Sequence, residues 1–85
     1  MRYAIKLALA DGAYIATCRD LPAFNSVGNS PEEALRESVD ALVLSLWGYI
    51  DEGRPIPEPS AKQGDERWVS VPSGDMAEIG LRQAK

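Results

Sequence analysis

The stretch Asn29-Ser30-Pro31-Glu32-Glu33-Ala34-Leu35 most constrains what this chain can fold into. It carries the signals of a helix start in the order in which a helix needs them. Ser30 is an N-cap, whose hydroxyl can accept from a free backbone N–H of the first turn. Pro31 falls at the first helical position, where its missing N–H costs nothing. Glu33, three residues after Ser30, completes a capping box, and Glu32 and Glu33 put negative charge at the positive end of the helix dipole. From Pro31 the helix should run to about Glu52, with Gly53 as its C-terminal stop. Leu35, Val39, Leu42, Leu46 and Ile50 form an apolar stripe at spacings of three and four, flanked by Val43 and Tyr49. Burying each stripe residue fully would contribute about 1.5–3 kcal/mol as an upper estimate.

Before the helix the pattern is strand and turn. Tyr3, Ile5, Leu7 and Leu9 alternate with Ala4, Lys6 and Ala8, the period of a strand with one better-buried face. Asp11-Gly12 is a strong hairpin signal, because both central positions of a type I′ turn need positive φ. Ala13 to Cys18 is the returning strand. A two-residue loop sets Leu9 opposite Tyr14, Leu7 opposite Ala16 and Ile5 opposite Cys18, all on one face, and a longer loop would shift that register. Arg19-Asp20-Leu21-Pro22-Ala23 breaks the strand, since proline lacks a ladder donor. Phe24 to Val27 is a short, more polar third strand near an edge, and Gly28-Asn29 turns the chain into the helix.

After the helix, Pro55, Pro57 and Pro59 make a stiff extended connector. Ala61 to Glu66 is polar and expected to be loose. Trp68 to Val71 is a fourth strand, closed by Pro72-Ser73-Gly74. Asp75 to Lys85 begins a further helix, with Met76, Ile79 and Leu81 apolar, that is too short to be stable alone. The order β-β-β-α-β defines an α+β domain, one amphipathic helix lying on one face of an antiparallel sheet. The domain spans 1–72, and 73–85 is a C-terminal tail. With 85 residues the core is small.

The chemistry available is narrow. The chain has no histidine, the commonest general base and metal ligand. Its single cysteine, Cys18, excludes an internal disulfide, suits a reducing cytoplasm, and in an apolar strand is a small buried hydrophobe rather than a nucleophile. Asp11, Asp20 and Asp40 have no metal-ligand spacing. They read as turn, loop and wet helix face. No cofactor or metal site is expected. The net charge of −4 argues against nucleic-acid binding by this segment alone and is compatible with a basic protein partner. No apolar run is long enough for a bilayer.

The polar side of the helix is odd. Leu44 falls opposite the stripe, near Glu37, Asp40 and Gly48, with Ala41 close by and Trp47 between the two faces. Gly48 costs about 1 kcal/mol of helix propensity against alanine. Single exposed leucines are common. The alternative is a second contact surface in which Ala41, Leu44, Trp47 and Gly48 meet another copy, giving a homodimer or higher homo-oligomer, with a strand edge as the rival route.

Four pieces of this grammar occur in an order that resembles the HicB antitoxin family. They are Asp11-Gly12-Ala13-Tyr14, Asp20-Leu21-Pro22, Gly28-Asn29-Ser30-Pro31-Glu32-Glu33-Ala34 and Gly53-Arg54-Pro55-Ile56-Pro57-Glu58-Pro59-Ser60. The family pattern is D-G-x-Y, D-L-P-G, G-x-T/S-x-E-E-A and G-x-x-I-P-x-P-S. Ala23 departs from it, standing where the family usually has glycine. The resemblance covers roughly Tyr3 to Val71. It implies a partial ribonuclease-H-like fold without that enzyme's catalysis, and a HicA-type toxin partner, a small basic mRNA interferase whose cutting histidine the antitoxin masks. The D-L-P loop, with Asp20, Leu21, Pro22 and Phe24, is then the candidate toxin contact. Operon autorepression is implied only where a C-terminal DNA-binding module follows: either the chain is a single-domain member, or such a part has been removed and 73–85 is its start, Gly80 to Lys85 reading like the opening of something longer. The competing class is a small metal-dependent nuclease of ribonuclease-H-like fold.

Overall fold

The computed structural model describes residues 1–75, 77 and 79. Four strands form one antiparallel sheet in the order β3-β2-β1-β4: β1 (Arg2–Ala10), β2 (Ala13–Cys18), β3 (Asn25–Gly28) and β4 (Arg67–Ser70). Helix α1 (Pro31–Asp51) follows β3 and returns the chain to the opposite edge of the sheet, where β4 pairs with β1. The helix packs most extensively on β3 and also touches β2 and β4.

The hairpin has the two-residue loop. Asp11 and Gly12 both take positive φ, 50° and 79°, and Ala10 faces Ala13 across the turn. Leu9, Leu7 and Ile5 then face Tyr14, Ala16 and Cys18. The face is shared but not equally covered. Tyr3, Ile5, Ala16 and Cys18 are core, whereas Leu9 is 64% exposed at the turn end of the hairpin.

The helix begins as its residues dictate. Ser30 is extended, its Oγ accepts from the Glu33 N–H at 3.1 Å, and the Glu33 carboxylate reaches back to the Asn29 N–H at 3.0 Å. It ends in a Schellman motif: the Gly53 N–H donates to Ile50 O and the Arg54 N–H to Tyr49 O, with Gly53 at φ 67°. The buried line differs from the expected stripe. Ala34, Ser38, Leu42 and Leu46 are fully covered, and Leu35, Val39 and Ile50 flank them, partly buried. The reason lies at Gly28. A Cβ there would come within 2.8 Å of Ala34 Cα and 2.9 Å of Glu33 C, so β3 meets the first turns of the helix backbone to backbone. Only small side chains fit there, and the Ser38 hydroxyl is satisfied by Ala34 O at 2.7 Å.

The 61–66 segment is not loose, contrary to its polar composition. The Gln63 N–H donates to Glu66 Oε1 at 2.8 Å, the Glu66 N–H donates to Gln63 O, and Arg19 holds both Ala61 O and Glu66. Beyond β4, residues 73, 74, 75, 77 and 79 are helical and Ile79 is buried in the core. The rest of the expected C-terminal helix, Met76, Leu81 and the tail to Lys85, lies outside the described residues.

Candidate partner-binding surface

Two tight turns follow β2, closed by the Leu21 N–H on Cys18 O and the Phe24 N–H on Leu21 O. They drive Leu21 and Phe24 inward, to 1% and 3% exposure, and leave Pro22 and Ala23 outside. Leu21 and Phe24 are therefore core side chains, with no surface to offer a partner in this conformation. Ala23 has no positive φ, so alanine is not strained there.

Asp20 faces the proline connector. The Ser60 N–H donates to its Oδ2 and the Ser60 hydroxyl to its Oδ1, both at 2.9 Å. Arg19 donates to Ser60 Oγ and Ala61 O, each at 2.8 Å, and pairs with Glu66 at 2.6 Å. The Gln63 N–H, and after it the Arg19 guanidinium, lower the pKa of Glu66. At the middle of the connector the buried Tyr3 hydroxyl donates to Pro57 O at 2.7 Å. The connector is thus clasped to β1 and to the loop between β2 and β3.

The loop and the helix meet at a shallow groove of about 320 Å³. Ala23 lines it from the loop, Leu44, Ser45, Gly48 and Tyr49 from the helix, and Glu52 and Arg54 from the helix's C-terminal end. Arg54 lies over the Tyr49 ring at 4.6 Å and pairs with Glu52 at 2.9 Å. Of the four residues expected to form a second contact surface, Leu44 is 72% exposed and lines the groove with Gly48. Ala41 and Trp47 are half-buried and pack against the core. The two surfaces expected separately, the D-L-P loop and the Leu44 face, are one continuous surface joined at Ala23. The Arg19–Asp20–Ser60–Glu66 clasp and the Arg54 wall were missed from sequence. The signal for the Asp20–Ser60 part was the presence in one chain of Asp20-Leu21-Pro22 and Ile56-Pro57-Glu58-Pro59-Ser60, whose first and last polar residues are the two that bond.

Asp11 sits in the hairpin turn, Asp20 is occupied by Ser60, and Asp40 is exposed on the helix. Among the described residues no three His, Cys, Asp or Glu side chains gather as a metal site. Burial pushes the Cys18 thiol up, away from the thiolate that a nucleophile needs. No helix among the described residues is long and apolar enough to cross a membrane.

The fold and this surface define a small α+β domain, a four-stranded antiparallel sheet under one long helix with a clasped proline connector. A family profile described as HicB-like antitoxin of bacterial toxin–antitoxin systems matches residues 2–78, and the chain belongs to that family. It is 35% identical over 81 residues to antitoxin HicB 2 of Photorhabdus laumondii, covering 95% of this chain and 57% of that protein. It is 30% identical over 80 residues to antitoxin HicB of Pseudomonas fluorescens, covering 93% and 55%. The chain thus spans just over half the length of these two curated relatives. The N-terminal domain of Burkholderia pseudomallei antitoxin HicB superposes with a TM-score of 0.64 at 24% identity, covering 85% of this chain and 99% of that one, a likeness of fold.

Proposed function

We propose that this chain is an antitoxin domain that binds a HicA-type mRNA interferase and masks its cutting histidine, and that it has no catalysis of its own. The observation that carries the reading is the family match over residues 2–78. Charge supports it: the chain is net −4, and Glu37, Asp40 and Asp51 lie exposed on one side of α1, which suits a basic partner. Within the loop the contact passes to Pro22 and Ala23, with Asp20 holding them in place and Leu21 and Phe24 anchoring them from below. Residues 1–72 are the toxin-binding unit. Autorepression would need a DNA-binding module after it, with 73–85 as its beginning, because an acidic surface does not hold operator phosphates. The site of action is the cytoplasm. Self-association, through the Leu44 face or an outer strand, is read by sedimentation at high concentration.

Two measurements test the reading. The adjoining reading frame should encode a short basic protein that co-purifies with this chain; a frame encoding no such protein, or one that does not bind, would remove it. Highly purified chain should not cleave RNA in Mg²⁺. Cleavage that disappears on Asp11→Asn or Asp20→Asn would establish the nuclease class instead.

A further inference from the structure

Gly48 has no internal reason to be glycine. It is not among the positive-φ residues, and a Cβ built on it meets nothing within 4 Å. Glycine is disfavoured inside a helix, so the position gives up stability without serving the packing of this chain. What the missing side chain leaves is the floor of the groove between Ala23 and Leu44. One helical turn before it, Leu44 stands 72% exposed.

The groove's own charged lining, Glu52 and Arg54, is paired with itself, so the charges beside the groove on the helix say what could cover it. On a helix of 3.6 residues per turn, Glu37, Asp40 and Asp51 fall within about 40° of Leu44, and all three are exposed. Among the described residues the ion pairs are Arg19–Glu66 and Arg54–Glu52, and these three carboxylates belong to neither. A second copy fits poorly. An antiparallel two-fold contact centred on Leu44 sets Glu37 of each copy opposite Asp51 of the other, and a parallel one sets each carboxylate against itself. Like charges brought together across an interface oppose association. A cationic segment has the opposite effect.

We propose that the groove floored by Gly48 receives an apolar side chain of a basic protein segment, whose lysines or arginines lie against Glu37, Asp40 and Asp51, and that this segment belongs to the toxin. The proposal rests on the antitoxin reading above. It makes Gly48 and Leu44 specificity-determining residues, and the acidic stripe the element that steers encounter.

The test uses the protein of the adjoining reading frame, with its cutting histidine changed to alanine, and measures its binding to the parent chain and three variants. Gly48→Leu fills the groove from a position where the new Cβ meets nothing. Its melting temperature should equal or exceed the parent's while affinity falls at least tenfold. Leu44→Gln should also lose tenfold with its fold intact. Asp40→Lys combined with Asp51→Lys should slow association about tenfold and flatten its decline with salt. Folded variants that bind like the parent would overturn the groove and leave the antitoxin reading standing. Variants that abolish self-association but keep full toxin affinity would give the groove to a second copy and overturn the proposal. A parent chain that does not bind at all would overturn both.

Discussion

Asp20 and Ser60, forty residues apart, are joined by the Ser60 N–H on Asp20 Oδ2 and the Ser60 hydroxyl on Oδ1, both at 2.9 Å. The bond closes the proline connector onto the loop that presents Pro22 and Ala23. Asp20-Leu21-Pro22 supplies the acceptor and Ser60, at the end of the connector, both donors. Asp20→Ala should cost about 1–3 kcal/mol, because the bonds go to a charged acceptor and leave the Ser60 N–H unpaired. Amide exchange should accelerate at Ser60. An exchange rate there equal to the parent's would show that the connector is held by other means.

Two glycines should respond to alanine with opposite sign. At Gly28 the added Cβ runs into the backbone of Glu33 and Ala34, which cannot turn aside, and overpacking of this kind costs about 1–3 kcal/mol or more. At Gly48 the Cβ meets nothing, and the gain in helix propensity should stabilise by about 1 kcal/mol. Urea midpoints of the two variants measure this. Shifts in the same direction would refute the assignment of Gly28 to close approach and Gly48 to open surface.

Ser30→Ala removes the acceptor of the Glu33 N–H and should cost about 0.5–2 kcal/mol. A denaturation midpoint unchanged from the parent would mean that the helix does not depend on this cap.

Tyr3 gives the fold an alkaline limit. Burial, with smaller contributions from nearby acidic groups, pushes its hydroxyl from 10.0 up to about 12. Between those values the unfolded chain releases the proton and the folded chain keeps it, so the folded state binds more protons and stability falls as pH rises. The contribution is fully present below pH 10. Tyr3→Phe removes the bond to Pro57 O, lowers stability at neutral pH and should flatten the decline above pH 10. A decline as steep in the variant as in the parent would assign the alkaline limit to other groups.

The hairpin was legible because Asp11-Gly12 suits a two-residue turn, whose register the structure takes, and the helix because Ser30-Pro31-Glu32-Glu33 carries the cap, the first-turn proline and the first-turn acids in order. The buried line of the helix was not. Ala34 and Ser38 carry no hydrophobic signal, and their burial follows from the close approach at Gly28, which hydropathy does not encode. The D-L-P loop was recognised, but which of its side chains turn inward depends on two backbone hydrogen bonds that proline spacing alone does not specify. The groove depends on Ala23 and Gly48, twenty-five residues apart in sequence, lining one hollow, which no local pattern announces.

The most direct measurement is a titration of this chain into RNA cleavage by the protein of the adjoining reading frame. Antitoxin action requires that cleavage fall with added chain and vanish at a fixed molar ratio, that inhibition track formation of the complex, and that Gly48→Leu shift the titration to higher concentration. Cleavage that continues unchanged with the chain in excess would contradict the antitoxin assignment.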